Sequence, residues 1–252
     1  MRALVRAELL KLRTVALPLW LLLTMLALCL LSVLATVLTA GLEGAPLQRD
    51  DPELLARSVA SASAGNVVLL VLGILAMTQE FRFGTATPSF LVTPRRGRVL
   101  AAKLAAIGLT GLAFAVVATA FALVTSVGLL AVRGDPVRWT GSVLEVVLGV
   151  GLVVLLYGPI GVAVGALVRN QIAAVVGALA WTFVVDQLLV ALLPEVGRWT
   201  PGGASSAVLQ LGALATTRGD LLPVWGGALV LLAYAVGLSA VAARSTLRRD
   251  LT

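Results

Sequence analysis

The sequence has no histidine, one cysteine and two lysines among its 252 residues. Without histidine, nucleophilic catalysis by Ser-His or Cys-His pairs and zinc sites with histidine ligands are excluded. The single cysteine, Cys29, lies in an apolar stretch, so the chain has no intrachain disulfide and no cysteine-rich metal site. We therefore predict no metal site and no hydrolase of the common classes.

Neither lysine follows a glycine, since Leu10 precedes Lys11 and Ala102 precedes Lys103. The chain thus lacks the Gly-Lys-Ser/Thr loop that binds nucleotide phosphates in P-loop ATPases. We predict that it is not an enzyme and that it binds no cofactor of its own.

Charged residues are also scarce, at 12% of the chain against 60% apolar residues. This composition is typical of an integral membrane protein surrounded by lipids. A net charge of +7 would suit nucleic-acid binding only on the basic face of a soluble fold, whereas the basic residues here lie between apolar stretches. We therefore expect no nucleic-acid partner.

Six apolar stretches are long enough to cross a hydrocarbon layer about 30 Å thick as helices. The first is too long for a signal peptide and is predicted to be a retained span. The second can begin earlier than its apolar part, because Asp51-Pro52-Glu53 is typical of a helix start. The predicted spans are Leu17–Leu38, Ser58–Met77, Leu100–Leu130, Val143–Val168, Ile172–Leu193 and Val224–Ala243.

The distribution of charge between the connecting segments predicts the orientation. With the N-terminus inside, the inner segments hold 13 of the 19 Lys and Arg residues, and most of the acidic residues lie outside. The positive-inside rule then places both termini in the cytoplasm. We predict a single all-α domain over residues 1–252 in the inner (plasma) membrane, with six spans.

Two segments outside the spans are predicted to be structured. Residues 1–16 can form a helix lying at the inner membrane surface, with arginines beside an apolar stripe; a basic flank that only fixes topology is the alternative. Residues 194–223 contain Pro201-Gly202-Gly203 and then a short apolar stretch. We predict an outer re-entrant segment there, with a loose surface loop as the alternative.

The fourth span contains Pro159, which should kink it, followed by Gly161 and Gly165 in Gly-x-x-x-Gly spacing. Such glycines allow close helix packing, either within the chain or between two copies.

In the fifth span, Asp186 is the only clear charge in the middle of a span. It can line a translocation path, carry a proton, or act structurally by pairing with Arg198 or capping the re-entrant segment.

The segment 79–98 between the second and third spans is longer than a simple connector requires. It begins Gln79-Glu80-Phe81-Arg82-Phe83-Gly84-Thr85 and ends Thr93-Pro94-Arg95-Arg96-Gly97-Arg98. An acidic residue, Gly-Thr, an apolar turn, a proline, basic residues and then a lysine follow one another here. This pattern resembles the membrane subunits of type-2 ABC exporters.

The resemblance implies six spans, an N-terminal interfacial helix, an outer re-entrant segment and a coupling helix in segment 79–98 that binds a cytoplasmic ABC ATPase. The chain would form the translocation path, while the partner would bind ATP and Mg²⁺ and hydrolyse the ATP. A second permease copy, identical or related, is implied by the symmetry of such exporters. By position, the coupling residues would be Glu80, Arg82, Gly84, Thr85, Pro94, Arg95 and Arg96.

Two other functions remain open. One is a proton-coupled secondary transporter that uses Asp186. The other is a non-transporting membrane scaffold or immunity protein. For an exporter, the apolar spans favour a hydrophobic or amphipathic substrate such as a drug, lipid, peptide or antibiotic, as in multidrug or antibiotic resistance. Abundant Ala, Val, Gly and Arg with few lysines are typical of a high-GC bacterium such as an actinobacterium.

Overall fold

The computed structural model describes residues 1–45, 47–83, 96–210 and 221–248. Within these ranges the regular structure is helical, and six helical segments are long and apolar enough to cross a membrane. The predicted all-helical class and the six spans are thereby confirmed, and the chain is a multi-pass membrane protein. Because the number of spans is even, the start of span 1 and the end of span 6 lie at one end of the bundle, here called the terminal end; the other is the far end.

The chain begins with a helix over Arg2–Thr14, called the N-terminal helix, which packs on spans 1 and 3. Each span lies within a few residues of its prediction. Span 2 is interrupted by a 3-10 turn over Ser61–Gly65, and span 5 by a π-helical turn over Trp181–Val185. The spans are Leu17–Thr39, Leu54–Arg82, Arg96–Arg133, Gly141–Val168, Gln171–Leu192 and Val224–Arg248.

Span 2 begins before its apolar part, at Leu54, as the local sequence indicated. The turn that precedes it is held by Asp51, whose Oδ1 accepts a hydrogen bond from the backbone N–H of Glu53 at 2.8 Å. An acidic side chain at this position also interacts favourably with the positive end of the helix dipole.

Span 4 lies at the centre of the bundle and packs against spans 2, 3 and 6. Its contact with span 2 is backbone to backbone: a Cβ atom added to Gly161 would lie 2.1 Å from the carbonyl oxygen of Leu70, and one added to Gly73 would lie 2.2 Å from that of Gly158. Gly165 approaches Ile74 in the same way. The glycines after Pro159 therefore pack within the chain, where the absence of side chains lets the two helices touch.

Span 5 is the least buried of the six spans. Along Gln171–Leu192, which the structure describes without a gap, only Ala174 and Asp186 are buried. The span changes from α-helix to a π-helical turn over Trp181–Val185 immediately before Asp186. In a single chain this span thus presents an almost entirely exposed apolar face.

At the far end, a short helix over Pro201–Val208, called the far-end helix, packs against spans 4, 5 and 6. Thr200 caps it: the Thr200 Oγ1 accepts a hydrogen bond from the Gly203 N–H at 3.2 Å. Glycines allow the close packing, because a Cβ atom on Gly227 of span 6 would lie 2.6 Å from the carbonyl oxygen of Ala204. Residues 201–208 thus form a packed helix. Residues 211–220 of the predicted segment 194–223 lie outside the described residues.

Candidate functional site

The N-terminal helix carries its charges on two faces. Arg2, Arg6 and Arg13 are exposed, whereas Glu8 is buried, at 8% exposure. Leu4, Val5, Leu9 and Leu12 are half-buried and fill the rest of the packed side. The helix is amphipathic, as the sequence indicated, but its packed face also carries one buried carboxylate.

Glu8 belongs to a cluster of four charged residues at the terminal end, here called the ion cluster: Glu8, Lys11, Glu80 and Lys103. Lys103 Nζ lies 2.6 Å from Glu8 Oε2 and 2.9 Å from Glu80 Oε1. It also donates to the carbonyl oxygen of Ala76 at 3.2 Å. Three hydrogen bonds saturate the ammonium group, which is required because Lys103 is 3% exposed.

Lys11 closes the ion cluster from the side of the N-terminal helix. Its Nζ lies 2.5 Å from Glu8 Oε1 and 2.9 Å from Glu80 Oε1, so each lysine bridges both carboxylates. Half of the Lys11 side chain is exposed. The ion cluster is neutral overall, and it joins the N-terminal helix, the end of span 2 and the start of span 3.

The N-terminal helix lies outside the spans, and its two members of the ion cluster have shifted pKa values. Burial by itself would raise the pKa of Glu8, but the charges and hydrogen bonds of Lys103 and Lys11 outweigh it and lower that pKa. Burial likewise opposes the charge on Lys11, yet its hydrogen bonds to Glu8 and Glu80 raise the Lys11 pKa. Both groups are therefore charged across the physiological pH range.

A cavity of about 500 Å³ opens beside the ion cluster. Its deep wall consists of the buried Leu72, Ala106 and Ile107 together with the ion cluster. Its mouth lies between Val15 and Phe83, which are exposed. The remaining lining residues are Leu12, Leu17, Pro18, Ala76 and Gln79.

Two of the predicted coupling residues are described with their side chains. Glu80 is buried in the ion cluster, so it contacts other helices of its own chain, while Arg82 is exposed one helical position before Phe83. Arg96 is the first residue of span 3. Gly84, Thr85, Pro94 and Arg95 lie outside the described residues.

The connector between spans 4 and 5 lies beside the end of span 2. Arg82 Nη1 donates to Gln171 Oε1 at 3.4 Å, and the guanidinium group of Arg169 lies 5.8 Å from the centre of the Phe81 ring. Arg169 ends span 4 in the left-handed region, with a φ of 58°. The connector and the root of segment 79–98 therefore form one surface at the terminal end.

Asp186, the other predicted site residue, is in a different place. It is 2% exposed and lies at the N-terminus of the far-end helix, next to Gly202. A Cβ atom on Gly202 would lie 2.1 Å from Asp186 Oδ2. Oδ1 is buried with no hydrogen-bond partner among the described residues.

Arg198, the predicted ion partner of Asp186, pairs instead with Glu195, with 2.5 Å between Arg198 Nη2 and Glu195 Oε2. The contacts of Asp186 are those of a carboxylate at a helix N-terminus, where the dipole favours negative charge. This corresponds to the structural alternative in which Asp186 caps the segment before span 6.

The sequence matches no protein-family model, and comparison with curated proteins gives no match.

The sequence did not predict that Glu8 and Lys11 belong to a buried ion cluster. A signal was present: Glu8 is the only acidic residue of the N-terminal helix and stands three positions before Lys11. Moreover, the ion cluster contains both lysines of the chain. A lone carboxylate on the apolar side of a basic helix indicates a buried partner.

Proposed function

We propose that this chain is the transmembrane subunit of an ATP-driven ABC exporter, with both termini in the cytoplasm and segment 79–98 as the contact for a separate cytoplasmic ABC ATPase. The observation that carries the proposal is the ion cluster at the root of that segment. A loop that receives force from a partner needs a rigid base, and Glu80 is bound through Lys11 and Lys103 to two other helices.

The surface beside the loop is suited to a protein partner that presents carboxylates. Arg82 and Arg169 lie there, held by contacts to Gln171 and Phe81. Arginine is favoured at protein interfaces because its planar group binds carboxylates through two hydrogen bonds. The proposed contact with the ATPase therefore comprises segment 79–98 and the connector between spans 4 and 5.

A second copy of the chain, or a related permease, would cover the exposed face of span 5. Its exposed side chains include Ile172, Val176 and Phe183. Substrate would then pass between the two copies, along apolar walls that suit a hydrophobic or amphipathic molecule. ATP and Mg²⁺ would be bound by the partner ATPase.

The first test is whether an adjacent gene encodes a soluble ATPase with a Gly-x-x-x-x-Gly-Lys-Ser/Thr motif. The two proteins would be co-expressed, purified as a complex and reconstituted in vesicles. We expect Arg82→Glu and Thr85→Trp to lower ATP hydrolysis and binding of the ATPase while membrane insertion stays normal. Arg138→Glu, an exposed arginine between spans 3 and 4, is the matched control. Unchanged coupling in both test variants would contradict the proposal.

A proton-coupled secondary transporter is the second candidate, and the unpaired Oδ1 of Asp186 is the observation that favours it. Transport that persists without any ATPase but stops when the proton gradient is collapsed would support this candidate. Transport that requires MgATP and survives collapse of the gradient would support the exporter. A chain that transports nothing under either condition would be the scaffold or immunity protein.

A further inference from the structure

The cavity beside the ion cluster has the properties of a ligand site. Its volume of about 500 Å³ falls within the range of roughly 300–1,000 Å³ that is typical of small-molecule pockets. Most of its lining is apolar, and the polar groups are concentrated on one wall. Such a site accommodates a molecule with a long apolar part and a charged end.

The charges exposed near the mouth are positive. Lys11, which lines the cavity, is half exposed, and the guanidinium group of Arg82 lies 5.5 Å from the centre of the ring of Phe83, another lining residue. The carboxylates of Glu8 and Glu80 are buried and bound to lysines. Among the described residues, the mouth therefore offers an incoming ligand cations and no exposed carboxylate.

The position of the mouth identifies the source of the ligand. It lies between the N-terminal helix, the start of span 1 and the end of span 2, at the level where the apolar spans begin and end. Lipid acyl chains and lipid headgroups meet at this depth, and basic amphipathic helices at that boundary attract anionic lipids.

We propose that this cavity binds one anionic phospholipid, with an acyl chain along Leu72 and Ile107 and the phosphate at Lys11. Lys11 Nζ makes two hydrogen bonds within the ion cluster, which leaves its third N–H for the phosphate. The bound lipid would then contact Lys11, which is a member of the ion cluster. The proposal goes beyond the exporter function and does not depend on an ATPase.

The test is native mass spectrometry of the delipidated chain titrated with phosphatidylglycerol or phosphatidylcholine of identical acyl chains. We expect one phosphatidylglycerol per chain to be retained in preference to phosphatidylcholine. Lys11→Gln should weaken that binding about fivefold, the effect of one basic residue near a lipid surface. Lys11→Arg should retain it, which separates loss of charge from loss of folding.

Two further variants distinguish the cavity from general attraction to the basic helix. Ala76→Leu places methyl groups in the cavity, keeps every charge and should reduce retention of both lipids. Arg138→Gln removes an exposed arginine between spans 3 and 4 and should change nothing. Glycerol phosphate, a headgroup without an acyl chain, should not compete. Equal retention of the two lipids, or equal binding by wild type and Lys11→Gln, would overturn the proposal.

Discussion

Glu8 Oε2 and Lys103 Nζ lie 2.6 Å apart although 95 positions separate them in the sequence. Both residues are buried, so this ion pair is poorly screened by solvent. The pair attaches a helix that precedes the first span to the start of the third. Glu80 binds the same ammonium group, which makes Lys103 the common centre of three helices.

Glu8→Gln should destabilise the protein, because it leaves Lys103 buried with one carboxylate instead of two. Removing one partner of a buried ion pair costs about 3 kcal/mol or more. The measurement is thermal unfolding in detergent, with Glu43→Gln, an exposed carboxylate, as the control. The double variant Glu8→Gln/Lys103→Met should lose less stability than the sum of the single variants. Strict additivity would mean that the two side chains do not interact.

Acid should release the N-terminal helix. Because the pKa of Glu8 is lowered in the folded chain, its stabilising contribution is fully present above the ordinary glutamate pKa of about 4.3 and is lost as the pH falls through the lowered value. Lys11 has a raised pKa, so its contribution persists throughout neutral pH and disappears only above the ordinary lysine pKa of about 10.4.

A nitroxide at the exposed Ala7→Cys measures this release as increased mobility on acidification. The label spectrum should be constant between about pH 4.3 and about pH 10.4. In the Glu8→Gln variant the label should already be mobile at neutral pH. A second label at Val132→Cys, which is 87% exposed at the far end, detects global unfolding. A transition near pH 6–7 in the wild type would contradict the assignment to Glu8.

Gly161→Ala should weaken the contact between spans 2 and 4. Its new methyl group would meet the Leu70 carbonyl oxygen at 2.1 Å, so the helices must separate. Overpacking of this kind costs about 1–3 kcal/mol. Gly151→Ala is the matched control in the same span, because no atom lies within 4 Å of its added Cβ atom. The measurement is the melting temperature together with oligomeric state; a change in oligomeric state without loss of stability would place Gly161 between two copies.

Hydropathy predicted the spans because a segment that crosses an apolar layer must be apolar and must form its backbone hydrogen bonds within its own helix. Both requirements are local properties of the sequence. The partners of these helices are not local. Gly161 and Gly165 indicated close packing, but their contact with Leu70 and Ile74 follows from how span 2 crosses span 4. The ion cluster forms where the N-terminal helix, span 2 and span 3 meet. The sequence therefore indicated Glu80 but not its ion partners, Lys11 and Lys103.

The Asp186 carboxylate lies next to Gly202 at the N-terminus of the far-end helix. Asp186→Asn keeps the shape of the side chain and removes the charge that interacts with the N-terminus of the far-end helix. We expect lower thermal stability and an equal loss of transport for a cationic and a neutral substrate, because the carboxylate is buried against Gly202 and not exposed to a path. Gly202→Ala should produce the same result, since its methyl group would meet Asp186 Oδ2 at 2.1 Å. Gln187→Ala, the exposed neighbour on span 5, is the control. If Asp186→Asn instead preserves melting and selectively reduces transport of the cation, then Asp186 lines the translocation path in the transporting assembly, and its contact with the far-end helix must open during transport.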